Sequence, residues 1–192
     1  MYAAIEKHIS KYIKLTEEEQ QRFSSILIHK KLRKRQYLIQ EGDFVDYEYF
    51  VIKGCLKAFE VDDLGNEHVV QFAIEDWWIS DFKAFFKGEK ARLNIDCIEE
   101  CELIGIKKSD LEQLYLDIPK FDRFFRIKLT NAFVALQDRI ISSLEKTSSE
   151  RYLEFRKTYP NIEQRIPNYL IANYLGIKPE SLSRLRKQLT SS

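Results

Sequence analysis

The sequence predicts an α+β chain in three parts: a β-rich domain framed by short helices, one unusually long helix, and a small helical domain. Three observations predict it. Between residues 26 and 107 the apolar pattern takes a period near two, with β-branched and aromatic runs at 47–52, 56–61, 68–74, 93–98 and 102–106. From Pro119 to Lys146 apolar residues recur every three or four positions. Between Ile166 and Leu189 two short helical patterns flank a glycine.

The flanking helices come first. Ile5, Ile9, Tyr12 and Ile13 share one face, and Thr16-Glu17-Glu18-Glu19 reads as a capping box that opens a second helix. In the β region Gly42, Gly54, Gly65 and Gly88 fall between the runs, Asp63-Leu64-Gly65-Asn66 reads as a hairpin loop, and Gly105 alone lies inside a run. Short connections between runs suit a roll or barrel. Ser109-Asp110-Leu111-Glu112 predicts a further capped helix, and Pro119 suits the first turn of the long one.

Along that long helix Phe121, Phe125, Leu129, Ala132, Leu136, Ile140 and Leu144 form one stripe, which Phe124, Phe133, Val134 and Ile141 widen. A helix of roughly 28 residues spans ~42 Å, more than a small β domain covers. A second copy of the chain is therefore expected against Leu129, Ala132, Phe133, Leu136 and Ile140. Thr147-Ser148-Ser149-Glu150 then caps a new helix, so the boundaries fall at 1–118, 119–146 and 147–192.

Composition sets the class. The 192 residues are 44% hydrophobic and 32% charged, with 13 Phe and 10 Tyr, as in a folded globular protein with one medium and one small domain. No run of about 18 apolar residues occurs, and Glu6, Lys7, His8, Lys11 and Lys14 break up the N-terminal segment, which is unlike a signal peptide. A cytoplasmic protein with no membrane partner is expected. Three cysteines, Cys55, Cys97 and Cys101, suit a reducing compartment without disulfides, Cys97 and Cys101 being placed in adjacent strands. Residues 151–192 carry 8 Lys/Arg against 3 Asp/Glu, a net +5, which leaves −4 on residues 1–150. The basic end is the part suited to a polyanion.

In that end Ile171 and Leu175 of the first short helix, and Leu182, Leu185 and Leu189 of the second, face inward. Ala172 leaves room for a crossing helix, Gly176 allows a positive φ in the turn, and Pro179 restarts the chain where a missing N–H costs nothing. Glu180, Ser181, Arg184, Lys187 and Gln188 are left outward. Such a helix fits the DNA major groove, where arginine grips guanine O6 and N7 and glutamate accepts from cytosine N4. Glu180 and Arg184 are the expected base readers, with Lys178, Arg186 and Lys187 against phosphates.

Glu41-Gly42, Val51-Ile52-Lys53-Gly54, Asp63-Leu64-Gly65-Asn66-Glu67 and Pro179-Glu180-Ser181-Leu182-Ser183-Arg184 together resemble the cyclic-AMP receptor protein and fumarate-nitrate reductase (Crp/Fnr) regulators along nearly the whole chain. The resemblance implies a cyclic-nucleotide-binding-like β-roll, a dimerisation helix and a C-terminal helix-turn-helix that reads a palindromic operator. It also implies RNA polymerase as a partner if the protein activates. The alternative is a small-molecule module with no DNA role. Two departures stand out. Pro179 replaces a basic residue, and the chain ends at Ser192 without a β-hairpin wing, like short wingless members.

In the family cyclic AMP is held by Gly-Glu and then Arg-Ser. Here Ser80-Asp81 stands at the first pair and Lys90-Ala91-Arg92-Leu93 at the second, so Ser80, Asp81 and Arg92 are the candidate effector residues and cyclic AMP itself is not expected. Taken alone, Ser80 reads as the cap of a short helix over 82–86. No cofactor is identified: an iron–sulfur cluster needs about four cysteines, and His8, His29 and His68 are scattered. No Gly-x-Ser-x-Gly, His-Glu-x-x-His, phosphate-loop or dinucleotide pattern occurs, so no enzyme is expected.

Overall fold

The computed structural model describes residues 2–190. Helix α1 (Ala3–Ser10) buries Ile5 and Ile9, and Ile13 continues their face beyond its end. Helix α2 (Glu17–Ser24) opens with the expected capping box. The Thr16 hydroxyl accepts from the Glu19 amide at 3.2 Å, and the Glu19 carboxylate accepts from the Thr16 amide at 2.8 Å.

Eight strands follow: β1 (Leu27–Leu32), β2 (Tyr37–Ile39), β3 (Tyr47–Lys53), β4 (Leu56–Val61), β5 (Glu67–Ala73), β6 (Trp78–Ile79), β7 (Asn94–Cys97) and β8 (Cys101–Lys107). The short helix α3 (Phe82–Lys87) lies between β6 and β7. The strands form two four-stranded sheets, ordered β1-β8-β3-β6 and β2-β7-β4-β5. Their inner faces share one core, in which Phe50 and Ile104 of the first sheet pack with Leu56 and Ile95 of the second.

The five predicted runs are all strands. β1, β2 and β6 went unnamed because β1 places His29, Lys30 and Lys31 between its two buried leucines, and the others have three and two residues. Gly105 sits inside β8 because its neighbours crowd it. A Cβ there would lie 2.8 Å from Ile28 Cγ1 and 2.9 Å from Tyr49 Cε1.

Two local expectations are corrected. Helix α4 (Lys108–Asp117) has Lys107 at its N-cap with no side-chain cap, because β8 runs straight into it and leaves Ser109 within its first turn. Cys97 ends β7 and Cys101 opens β8, and these strands belong to different sheets, so the two flank a crossing between sheets rather than lying in adjacent strands. All three thiols are free and buried, and the Cys101 thiol beside it, together with burial, pushes Cys97 far up. Such thiols are unreactive.

Helix α5 (Lys120–Glu145) starts just after Pro119 and has 26 residues. The chain divides within it: Met1–Ala58 with Phe72–Asn131 make one compact unit, and Phe59–Gln71 with Ala132–Ser192 another. In the first unit Phe121, Phe124 and Phe125 are buried under the roll's aromatic cluster, Phe121 stacking on Phe23 at 4.8 Å. No helix among the described residues is long and apolar enough to cross a membrane.

One turn along α5, Lys128 turns into the roll and donates to Glu48 of β3 at 2.6 Å. The Glu48 side chain is 1% exposed and that of Lys128 13%. The ammonium also lies 3.8 Å from the Trp78 ring centroid and 4.6 Å from that of Phe125. Burial holds the Lys128 ammonium below its ordinary pKa, opposed by Glu48. Losing one partner strands the other's charge, so Lys128→Met is expected to cost about 3–5 kcal/mol of unfolding free energy in urea titrations. Lys128→Met combined with Glu48→Leu is expected to recover most of that loss.

Candidate nucleic-acid interface

Within the second unit, helix α6 (Ser148–Thr158) opens on the predicted capping box, the Thr147 hydroxyl accepting from the Glu150 amide at 3.3 Å and the Glu150 carboxylate from the Thr147 amide at 2.9 Å. Ser142 of α5 donates to Glu154 of α6 at 2.6 Å, so the two helices are braced beside their short connection. Phe155 and Tyr159 then meet Tyr174 at 5.4 and 5.9 Å between ring centroids, which seats the next helix on α6.

That next helix is α7 (Asn168–Leu175), which buries Leu170, Ile171, Ala172 and Leu175. Gly176 ends it at φ +65°, a conformation that costs a residue with a Cβ about 1–2 kcal/mol. The Ile177 amide reaches back to the Ala172 carbonyl at 3.0 Å. Helix α8 (Pro179–Thr190) begins two residues later and turns Leu182 and Leu185 inward, with Leu189 half-buried. The pair α7–Gly176–α8 is a helix-turn-helix in its geometry.

Lys178, Glu180, Ser181, Arg184, Lys187 and Gln188 all lie exposed, on or beside the outer face of α8, as the spacing predicts. Arg186 differs from these in exposure. It is half-buried, sits 3.5 Å from Glu163 and donates to the Asn168 side-chain oxygen, so it braces α8 against the preceding chain. Glu163 also lies 3.1 Å from Arg156 and accepts from the Tyr152 hydroxyl. Burial, with that carboxylate beside it, pushes the Tyr152 hydroxyl up to about 12.

Two residues that sequence reasoning passed over hold this unit together. Asn173 of α7 and Arg139 of α5 both bind the backbone of β5 residues. No local pattern marks either, since their partners lie about a hundred and about seventy positions away.

In the first unit, Ser80 and Asp81 are each 3% exposed. Ser80 donates to the Tyr47 carbonyl at 2.9 Å, and it is Asp81, not Ser80, that caps α3. The Asp81 carboxylate accepts from the amides of Ala84 at 3.0 Å, Arg92 at 2.9 Å and Leu93 at 3.0 Å. Arg92 itself is exposed. Asp81 thus meets the Arg92 backbone, and its carboxylate already accepts three backbone amides.

Residues 29–117 match the cyclic nucleotide-binding domain family. The chain is 24% identical over 168 residues to the transcriptional activator protein Anr of Pseudomonas protegens, covering 80% of this chain and 67% of that protein. It is 24% identical over 185 residues to the fumarate and nitrate reduction regulatory protein of Vibrio cholerae, covering 89% and 72%. The chain resembles Crp/Fnr-type regulators in sequence. In fold the chain is similar to FixK2 of Bradyrhizobium japonicum, with a TM-score of 0.74 at 20% identity over 86% of this chain and 85% of that one.

The bonded state of Asp81 makes the stability of the protein depend on acid. Burial raises the Asp81 pKa, but the amides of Ala84, Leu93, Arg92 and Lys83 outweigh it and hold the carboxyl below its ordinary 3.8. A depressed carboxyl contributes stability above its unfolded pKa and loses it as pH falls through the folded one. Asp81→Asn, which still caps a helix, is therefore expected to unfold in urea with a shallower loss of stability below about pH 4 than the unaltered protein.

Proposed function

We propose that the regulator binds an inverted-repeat DNA operator as a homodimer joined through α5, each α8 entering a major groove. The observation that carries this reading is the outer face of α8, where Glu180, Ser181, Arg184, Lys187 and Gln188 stand exposed on a helix whose other face is held by Leu182 and Leu185. Glu180 and Arg184 read base edges, while Lys178 and Lys187 meet phosphates.

The dimer reading is supported by the second half of α5. Leu129, Phe133, Leu136 and Ile140 are 43%, 66%, 53% and 54% exposed, an apolar stripe on a helix whose first turns are buried. Ala132 lies exposed on the same stretch. Functionally we assign 1–118 to sensing, 119–146 to dimerisation and 147–192 to DNA. RNA polymerase is the further partner where the operator position favours activation, and the site of action is the cytoplasm. Sensing proceeds without cyclic AMP, because Asp81 is committed to backbone amides and cannot also serve a ribose.

Leu136→Glu or Ile140→Glu is expected to sediment as a monomer and to bind DNA weakly, since one half-site offers half the contacts. A variant that stays dimeric removes α5 as the interface. Arg184→Ala is expected to lose about 1–3 kcal/mol of preference for the selected operator over random duplex. Lys187→Ala is expected to weaken both alike and to flatten the salt dependence by about one charge. Unchanged preference in Arg184→Ala across a salt titration overturns the assigned reading face. Calorimetry with cyclic AMP is expected to give no saturable submicromolar heat.

A further inference from the structure

Strand β5 ends its sheet, so one side of its backbone faces no strand partner. Within the second unit that side is taken by a side chain. The Asn173 amide accepts from the Val69 N–H at 2.7 Å through Oδ1 and donates to the Glu67 carbonyl at 2.6 Å through Nδ2. Residues two apart on a strand point their N–H and C=O the same way, so Glu67 and Val69 present the pair that a neighbouring strand would take. A primary amide offers the matching donor and acceptor, which makes Asn173 a one-residue substitute for that strand.

Two further contacts tie the same place to α5. Arg139 donates to the Val70 carbonyl, and its guanidinium lies 4.1 Å from the Tyr174 ring centroid, the residue next to Asn173. One helix of the two-helix pair is therefore held from two directions, by the β4–β5 hairpin and by the second half of α5. The clamp grips α7 and leaves the outer face of α8 exposed, so it does not mask the DNA-reading residues.

We infer that Asn173 is a positioning residue: its two hydrogen bonds to β5 set the angle of the reading helices relative to α5, and so the half-site separation that a dimer accepts. The inference rests on the dimeric DNA reading above. A head held at one angle matches one spacing, because one added base pair turns a half-site by about 35° and shifts it along the axis. A head that is loosely held meets several spacings with similar affinity.

The test uses the full chain and duplexes carrying the selected half-sites at the optimal separation and at one base pair more and one fewer. Unaltered protein is expected to favour the optimal duplex steeply. Asn173→Ala and Asn173→Asp, the latter setting a carboxylate oxygen against the Glu67 carbonyl, are expected to lower that spacing ratio about fivefold or more while keeping the preference for half-site sequence. Simple destabilisation lowers affinity at every spacing alike. Hydrogen exchange supplies a readout without DNA: the Val69 amide is expected to exchange at least about tenfold faster in Asn173→Ala, as an amide freed of its acceptor does.

A spacing ratio unchanged in both variants, or a Val69 amide equally protected in Asn173→Ala, overturns the inference and leaves the DNA reading standing. Failure of the unaltered protein to bind any inverted repeat overturns the DNA reading and the inference together.

Discussion

Twenty-six residues of continuous helix rise about 39 Å, and the apolar surface under the roll meets only the first part of that length. The buried trio Phe121, Phe124 and Phe125 satisfies one end of α5, and the Lys128–Glu48 pair closes that contact with a buried hydrogen bond. Beyond it the helix keeps its apolar period, and Leu129, Phe133, Leu136 and Ile140 stay exposed. Most of the functional organisation follows from that mismatch. The exposed apolar stripe is the surface that the proposed second copy would cover.

The polar groups divide the labour differently in the two units. In the roll, Asp81 gathers the Ala84 amide at the start of α3 and the Arg92 and Leu93 amides before β7, and an ionised carboxylate is the acceptor that binds them most strongly. The roll is thereby self-satisfied where a ligand's polar groups are expected to enter. In the helical unit, Glu163 plays the matching role for cations, collecting Arg156 and Arg186 so that α8 is locked to the chain before α7. Arg186 is thereby drawn toward Glu163 and Asn168, although it stands two residues from the exposed Arg184.

Much of the fold was legible in the chain itself. Thr16 and Thr147 announced their helices because a capping box needs only four consecutive residues. Strands β3, β4, β5, β7 and β8, the loop at Asp63–Asn66 and the α7–α8 pair were readable because period, glycine and proline act over short range. Ser109 misled for the same reason. Its box was locally sound, but β8 ran on into α4 and moved the helix start upstream.

By itself, then, the sequence determined most of the helix and strand segments, which faces of α5 and α8 are apolar, and which polar residues stand on the outer face of α8, since each depends on neighbours within a turn or two. Only the tertiary structure decided the partners of buried polar groups: Lys128 with Glu48 across 80 positions, Asn173 with Val69 across 104, and Arg186 with Glu163. Periodicity says that a side chain faces inward. It does not say which distant donor or acceptor waits there, because that depends on how whole elements pack, and a buried polar group must be paired by whatever the packing brings.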